Sequence, residues 1–151
     1  MPQTFFHAAP IPLAVGSVIE PGNWGRIMRA IHWDAGIPPY FLREMTFEAV
    51  RLRDFPSRPS RFDALFVFEQ VDHLPKITSD LTRRDITYEV ELVSPEKLSH
   101  RGDFDVVRWP NSQEVRTIPF FEEMAAAYWR SENPAVPELV TLSAARIVRR
   151  L

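Results

Sequence analysis

Cysteine is absent from these 151 residues. That excludes disulfides, thiolate metal ligands and thiol catalysis together. Glycine is scarce, at five residues against 14 prolines, so the joints between elements read as stiff rather than floppy. No Gly-x-Gly-x-x-Gly, Walker-type or Gly-x-Ser-x-Gly sequence occurs, which removes the usual phosphate loops and the nucleophile elbow. Net charge is nearly absent as well: a formal charge of -2 argues against a general binder of nucleic acid or of acidic membranes. No apolar run reaches the length of a membrane span, and the N-terminus has no basic stretch followed by an apolar one and a small-residue cleavage site. The expectation is a cytoplasmic protein with no membrane partner. His32, His73 and His100 have no partner at i, i+4 and no cysteine beside them, so no metal site is expected.

What is present is enough for one core. Hydrophobic residues make up 45% of the chain and aromatic residues 12%, which suits a single domain over 1–151. Thr4 to His7 reads as a strand between Pro2 and Pro10, and the stretch from Pro21 to Pro39 as a loop with room for one helical turn, carrying Trp24, His32 and Trp33. A short helix is expected from an N-cap at Thr46 through Phe47 and Val50 to Pro56. Ala64 to Phe68 is a continuous apolar run of strand length, and Asp72 to Arg84 a second helix limited by Pro75. Ile86 to Val93 alternates with period two, placing Ile86, Tyr88, Val90 and Leu92 on one face and Thr87, Glu89 and Glu91 on the other. Ser99 to Asp103 reads as a polar loop. Pro119 opens the clearest helix, with Phe120, Phe121, Met124, Ala125 and Tyr128 on one side, and Leu139–Leu142 and Ala145–Val148 close the chain as strands. Arg146, Arg149 and Arg150 read as a solvated strand edge. Mostly strands with a few short helices is the pattern of an α+β domain, not of a doubly wound sheet.

Several motifs point further. The opening Phe5-Phe6-His7-Ala8-Ala9, with Leu13-Ala14-Val15-Gly16 and Pro21-Gly22 after it, resembles the first strand of small ADP-ribosyltransferases of the rifamycin-modifying branch. Tyr88-Glu89-Val90-Glu91 is similar to that family's Tyr-x-Val-Glu strand, and Ala145-Arg146-Ile147-Val148 to its closing strand. Pro59-Ser60-Arg61-Phe62 and Arg101-Gly102-Asp103 also resemble uncharacterised bacterial proteins of the DUF2441 type. The resemblance implies a split, curved β-sheet of ADP-ribosyltransferase type, with NAD as co-substrate in its cleft. The implied reaction transfers ADP-ribose to an unknown acceptor (protein, nucleic acid or small molecule) and releases nicotinamide. The alternatives on the same fold are a catalytically silent module that binds a nucleotide or protein, and a toxin that hydrolyses NAD.

The resemblance also assigns roles. His7 would hold a ribose hydroxyl and the Ala8 backbone the nicotinamide amide, with Phe66 and Tyr88 as aromatic groups on NAD. Ser60 and Arg61 would bind ribose or pyrophosphate. Asp103 would stabilise an oxocarbenium-like transition state, with Glu91 as the competing acid. Each residue has an ordinary alternative: a hydrogen-bonded histidine, core aromatics, an ion-paired arginine, a turn aspartate, a glutamate on a solvated strand face. Three positions depart from the family pattern. His7-Ala8-Ala9 stands for His-Gly-Thr, and phenylalanine stands for the stacking tyrosine.

Overall fold

The computed structural model describes residues 3–32, 34, 36–76, 86–107, 118–131 and 133–151. Seven strands form one antiparallel sheet: β1 (Thr4–Ala9), β2 (Val18–Ile19), β3 (Leu65–Phe68), β4 (Ile86–Leu92), β5 (Ser99–Asp103), β6 (Pro137–Thr141) and β7 (Ala145–Arg150). They lie in the order β2-β7-β4-β1-β3-β6-β5. Among the described residues four α-helices accompany them, α1 (Asn23–Arg29), α2 (Pro39–Asp54), α3 (Phe104–Val107) and α4 (Ile118–Arg130), with a 3-10 helix at Val71–Lys76.

β1 is the central strand, and its two sides differ. Toward β4 it is paired along its whole length, from Thr4↔Glu91 to Ala9↔Ile86. Toward β3 the register has one pair, Phe6↔Phe68. The sheet is therefore continuous but has a narrow seam, with β2-β7-β4-β1 on one side and β3-β6-β5 on the other. Mixed α and β structure agrees with expectation.

Each face has its own core. On one, Phe5, Ala9, Leu65, Val67, Tyr88, Val90, Ala145 and Ile147 pack together, with Leu13 and Ile19 from the N-terminal segment against them. On the other, Phe47 and Val50 of α2 meet Ala125, Tyr128 and Trp129 of α4 over Val140, with Phe66 at the border. The Trp129 indole Nε1 donates to the Phe47 carbonyl at 2.9 Å, joining the two helices.

Four sequence expectations need correction. The Pro21–Pro39 stretch contains α1, which starts behind Gly22 at φ 92 and buries Gly25 and Met28. Its glycine at 25 lets the helix lie directly on the Phe62 carbonyl, which a Cβ there would meet at 2.0 Å. The helix expected from Thr46 begins at Pro39, a residue whose fixed φ suits a first turn. Thr46 is inside it, its hydroxyl donating to the Leu42 carbonyl at 2.9 Å rather than capping. The buried stripe of α2 includes Glu44 and Arg51 beside Phe47 and Val50, so its apolar periodicity is broken by charges that are paired inside. From Val71 to Lys76 the chain forms a 3-10 helix rather than α-helix, and the rest of the expected Asp72–Arg84 helix lies outside the described residues. Finally, Ser99–Asp103 is a strand. Its inward positions are His100 and Gly102 instead of aliphatics, while Arg101 faces out to Glu69 at 2.9 Å.

Candidate functional site

Arg61 is the centre of a buried ionic knot. Its side chain is 6% exposed. Nε donates to Glu44 Oε2 at 2.9 Å, and one terminal nitrogen donates to Glu138 Oε1 at 2.6 Å and to the Tyr128 hydroxyl at 2.7 Å. The Tyr128 hydroxyl donates to Glu138 at 2.7 Å. The guanidinium carbon Cζ sits 4.6 Å from the Phe66 ring centroid and 5.0 Å from that of Tyr128. Burial works against the Arg61 charge, but the Glu44 and Glu138 carboxylates outweigh it and hold the group protonated. Burial likewise opposes the Glu44 charge, and Arg61 with Arg43 outweighs it, so the carboxyl lies below its ordinary range. Tyr128 is pushed well up by burial, with Glu138 adding to that and Arg61 opposing it. Ser60, the neighbour of Arg61, donates to Glu48 at 3.0 Å.

The other expected residues lie apart from this knot. His7 and Tyr88 are cross-strand partners, so they share a face with Phe5 and Val90. His7 Nδ1 lies 2.9 Å from the Phe66 carbonyl and donates to it across the seam where backbone pairing stops. The Tyr88 hydroxyl accepts from Leu13 N at 2.8 Å beneath the N-terminal segment, and Tyr88 is fully buried. Ala8, buried beside Phe68 and Leu74, belongs to the opposite face. Strand alternation puts the Phe66 ring and Glu91 on that opposite face too, away from His7. Asp103 ends β5, three strands from β1, which is roughly 14 Å along the sheet. Its carboxylate accepts from the backbone N–H groups of Asp105, Ala135 and Val136 at 3.0, 3.1 and 3.1 Å, a turn-holding arrangement. His7 and Tyr88 are thus brought together, as are Ser60, Arg61 and the Phe66 ring. The two acids join neither group.

Between α1 and α2 there is a cleft of about 320 Å³ lined by Met28, Arg29, Ile31, Ile37, Phe41, Met45 and Phe62. Trp24, on α1, packs on Tyr40 at 5.7 Å; Trp33 lies outside the described residues. Gly25 seats α1 against the turn at Phe62, and the cleft lies between the end of α1, that turn and the first turns of α2, which begins ten residues after α1 ends. Sequence reasoning missed it, and it missed Glu44 and Glu138, because a glutamate in a helix or strand carries no local sign that its partner is a distant arginine.

The family model described as "Protein of unknown function (DUF2441)" matches residues 23–148. The chain belongs to that family. No curated protein matches it. The DUF2441 match begins at the first residue of α1 and ends within β7, so it includes the cleft, the Arg61 knot, Glu91 and Asp103. β1, with His7 and Ala8, lies outside the matched span. Among the described residues no group of three or more His, Asp or Glu side chains is placed to hold a metal ion, and no helix is long and apolar enough to cross a membrane.

Proposed function

We propose that this DUF2441 chain is a catalytically silent binding module on an ADP-ribosyltransferase-like sheet, with the α1–α2 cleft as its ligand site. The observation that carries this reading is the state of Arg61. The residue that would hold ribose or pyrophosphate is clamped between Glu44 and Glu138 and covered by Phe66. A pyrophosphate would have to displace two buried carboxylates, and stripping an ion from such a pair costs several kcal/mol. Neither candidate acid is beside His7, Glu91 lying on the opposite face of the neighbouring strand and Asp103 three strands away, whereas an oxocarbenium-like transition state needs its negative charge beside the reacting carbon.

One observation favours a second reading, NAD-dependent mono-ADP-ribosyl transfer to an acceptor or to water. His7 stands at the seam between β1 and β3, where the backbone register has one pair, with Tyr88 beside it on β4, and a break in the ladder leaves room for a flat ligand beside His7. In that reaction the bond from ribose to nicotinamide breaks, nicotinamide leaves as a neutral ring, and the acceptor oxygen or nitrogen closes on the anomeric carbon and gives up its proton. His7 would orient the ribose.

Incubation of the purified protein with NAD, following nicotinamide release, separates the two. A silent module gives release no faster than buffer, and calorimetry shows no heat with NAD. Release that disappears in His7→Ala, and in Asp103→Ala or Glu91→Gln, would establish the transferase reading instead.

A further inference from the structure

The lining of the α1–α2 cleft has an uneven chemistry. Six of its residues, Met28, Ile31, Ile37, Phe41, Met45 and Phe62, are apolar; the seventh is Arg29. The volume, about 320 Å³, is at the lower end of the range for small-molecule sites, roughly 300–1,000 Å³. Two of the apolar residues, Ile37 and Met45, are each 46% exposed at the mouth, so apolar surface there faces water. Arg29 donates to Asp63 Oδ1 at 3.4 Å, with both side chains about two-thirds exposed (65% and 64%). A pair that long and that open is worth little, between about 0 and 1 kcal/mol, so an incoming anion can replace Asp63 at small cost. The contrast with Arg61 is direct. One arginine is locked by carboxylates at 2.6 and 2.9 Å in the core, the other stands at the rim of an apolar hollow with a loose partner.

Resting on the reading of this cleft as the ligand site, we propose that its ligand is a small organic carboxylate. An aromatic or medium-length aliphatic body would lie on Met28, Phe41, Met45 and Phe62, and its carboxylate would meet the Arg29 guanidinium. The body supplies affinity through apolar burial, at about 25 cal/mol per Å². The acid supplies selection, because guanidinium accepts a planar carboxylate in a two-pronged bond. The methionines suit ligands of more than one shape, since unbranched thioether side chains re-pack easily.

The test compares a matched pair of probes, 4-phenylbutyrate and 4-phenyl-1-butanol, titrated calorimetrically into the full chain. The carboxylate is expected to bind at least tenfold more tightly. Arg29→Ala should remove that preference and leave the alcohol unchanged. Ile37→Trp, which fills the mouth from an exposed position, should abolish binding of both. If wild type binds the two equally, or Arg29→Ala leaves the preference intact, the carboxylate assignment is overturned while the cleft stands as a ligand site. If neither probe binds to wild type, the cleft reading itself falls, and this inference with it.

Discussion

At the scale of single residues, Gly102 shows how one atom more would be felt. A Cβ there would meet Tyr128 Cε2 at 2.2 Å and the ring's Cζ at 2.4 Å. Tyr128 cannot swing away, because its hydroxyl is bonded to Arg61 and Glu138 and its ring packs on Phe47. Gly102→Ala should therefore destabilise the chain by about 1–3 kcal/mol, the range of overpacked cores, read as a lower urea midpoint with an unchanged slope. His100, one residue earlier, is a titration probe of the same core. Its Nε2 donates to the Tyr128 carbonyl at 3.0 Å. Burial pushes its pKa down from 6.5 to about 4, with Arg58 and Arg61 adding to the effect and the carbonyl partly opposing it. The unfolded chain therefore takes up a proton near pH 6.5 that the folded chain refuses until near 4. Stability is full above about 6.5 and falls as pH drops toward 4, by no more than about 3 kcal/mol. Urea unfolding at pH 7 and pH 5 should show the loss in wild type and a much smaller one in His100→Gln. Glu44, held below its ordinary 4.5, adds stability that is present above that pH and is lost only as pH falls below it, so a comparison between pH 7 and pH 5 reads His100.

At the scale of elements, the weak join is between β1 and β3. His7 supplies a side-chain bond where the ladder provides a single register pair. His7→Ala should cost about 1 kcal/mol, and amide exchange in β3 should rise more than in β4, which keeps its full pairing with β1. Equal exchange in both strands would show that the seam does not depend on His7. What was legible in the sequence follows the same physical line. β4 announced itself because its inward residues, Tyr88 and Val90, are apolar and alternate with polar ones. α4 was clear because Phe121, Ala125 and Tyr128 recur on one side. β5 and the first half of α2 were not, since their inward positions are His100, Gly102 and Glu44, residues that look solvated until their partners are known. The candidate site failed in the same way. In the sequence the motifs at 7, 60–61, 88–91 and 103 suggest one constellation, but strand parity sends neighbours to opposite faces, and parity across strands is set by register that local sequence does not encode.

At the scale of the whole molecule, the Arg61 knot is the cross-tie: it holds α2 through Glu44, β6 through Glu138 and α4 through Tyr128, while Arg43 of α2 reaches α3 at the Val107 carbonyl, 2.8 Å away. Such a knot specifies an arrangement more surely than it stabilises one, because the charges lose hydration on entering the core. Removing one member is a different matter. Arg61→Ala leaves Glu138 buried without its cation and Glu44 with Arg43 alone, 3.0 Å away, and should cost about 3–5 kcal/mol, a large share of the stability of a domain this size. Replacing the knot as a set, with Arg61→Met, Glu44→Leu, Glu138→Leu, Tyr128→Phe and also Arg43→Met, whose guanidinium would otherwise lose Glu44, should restore a urea midpoint close to wild type, since no buried carboxylate, hydroxyl or guanidinium is then left unpaired. Circular dichroism in the aromatic region would show whether α2 and α4 keep their packing in that variant. A loss below about 1 kcal/mol in Arg61→Ala would mean that water reaches Glu44 and Glu138, and with it that a phosphate has a path to Arg61.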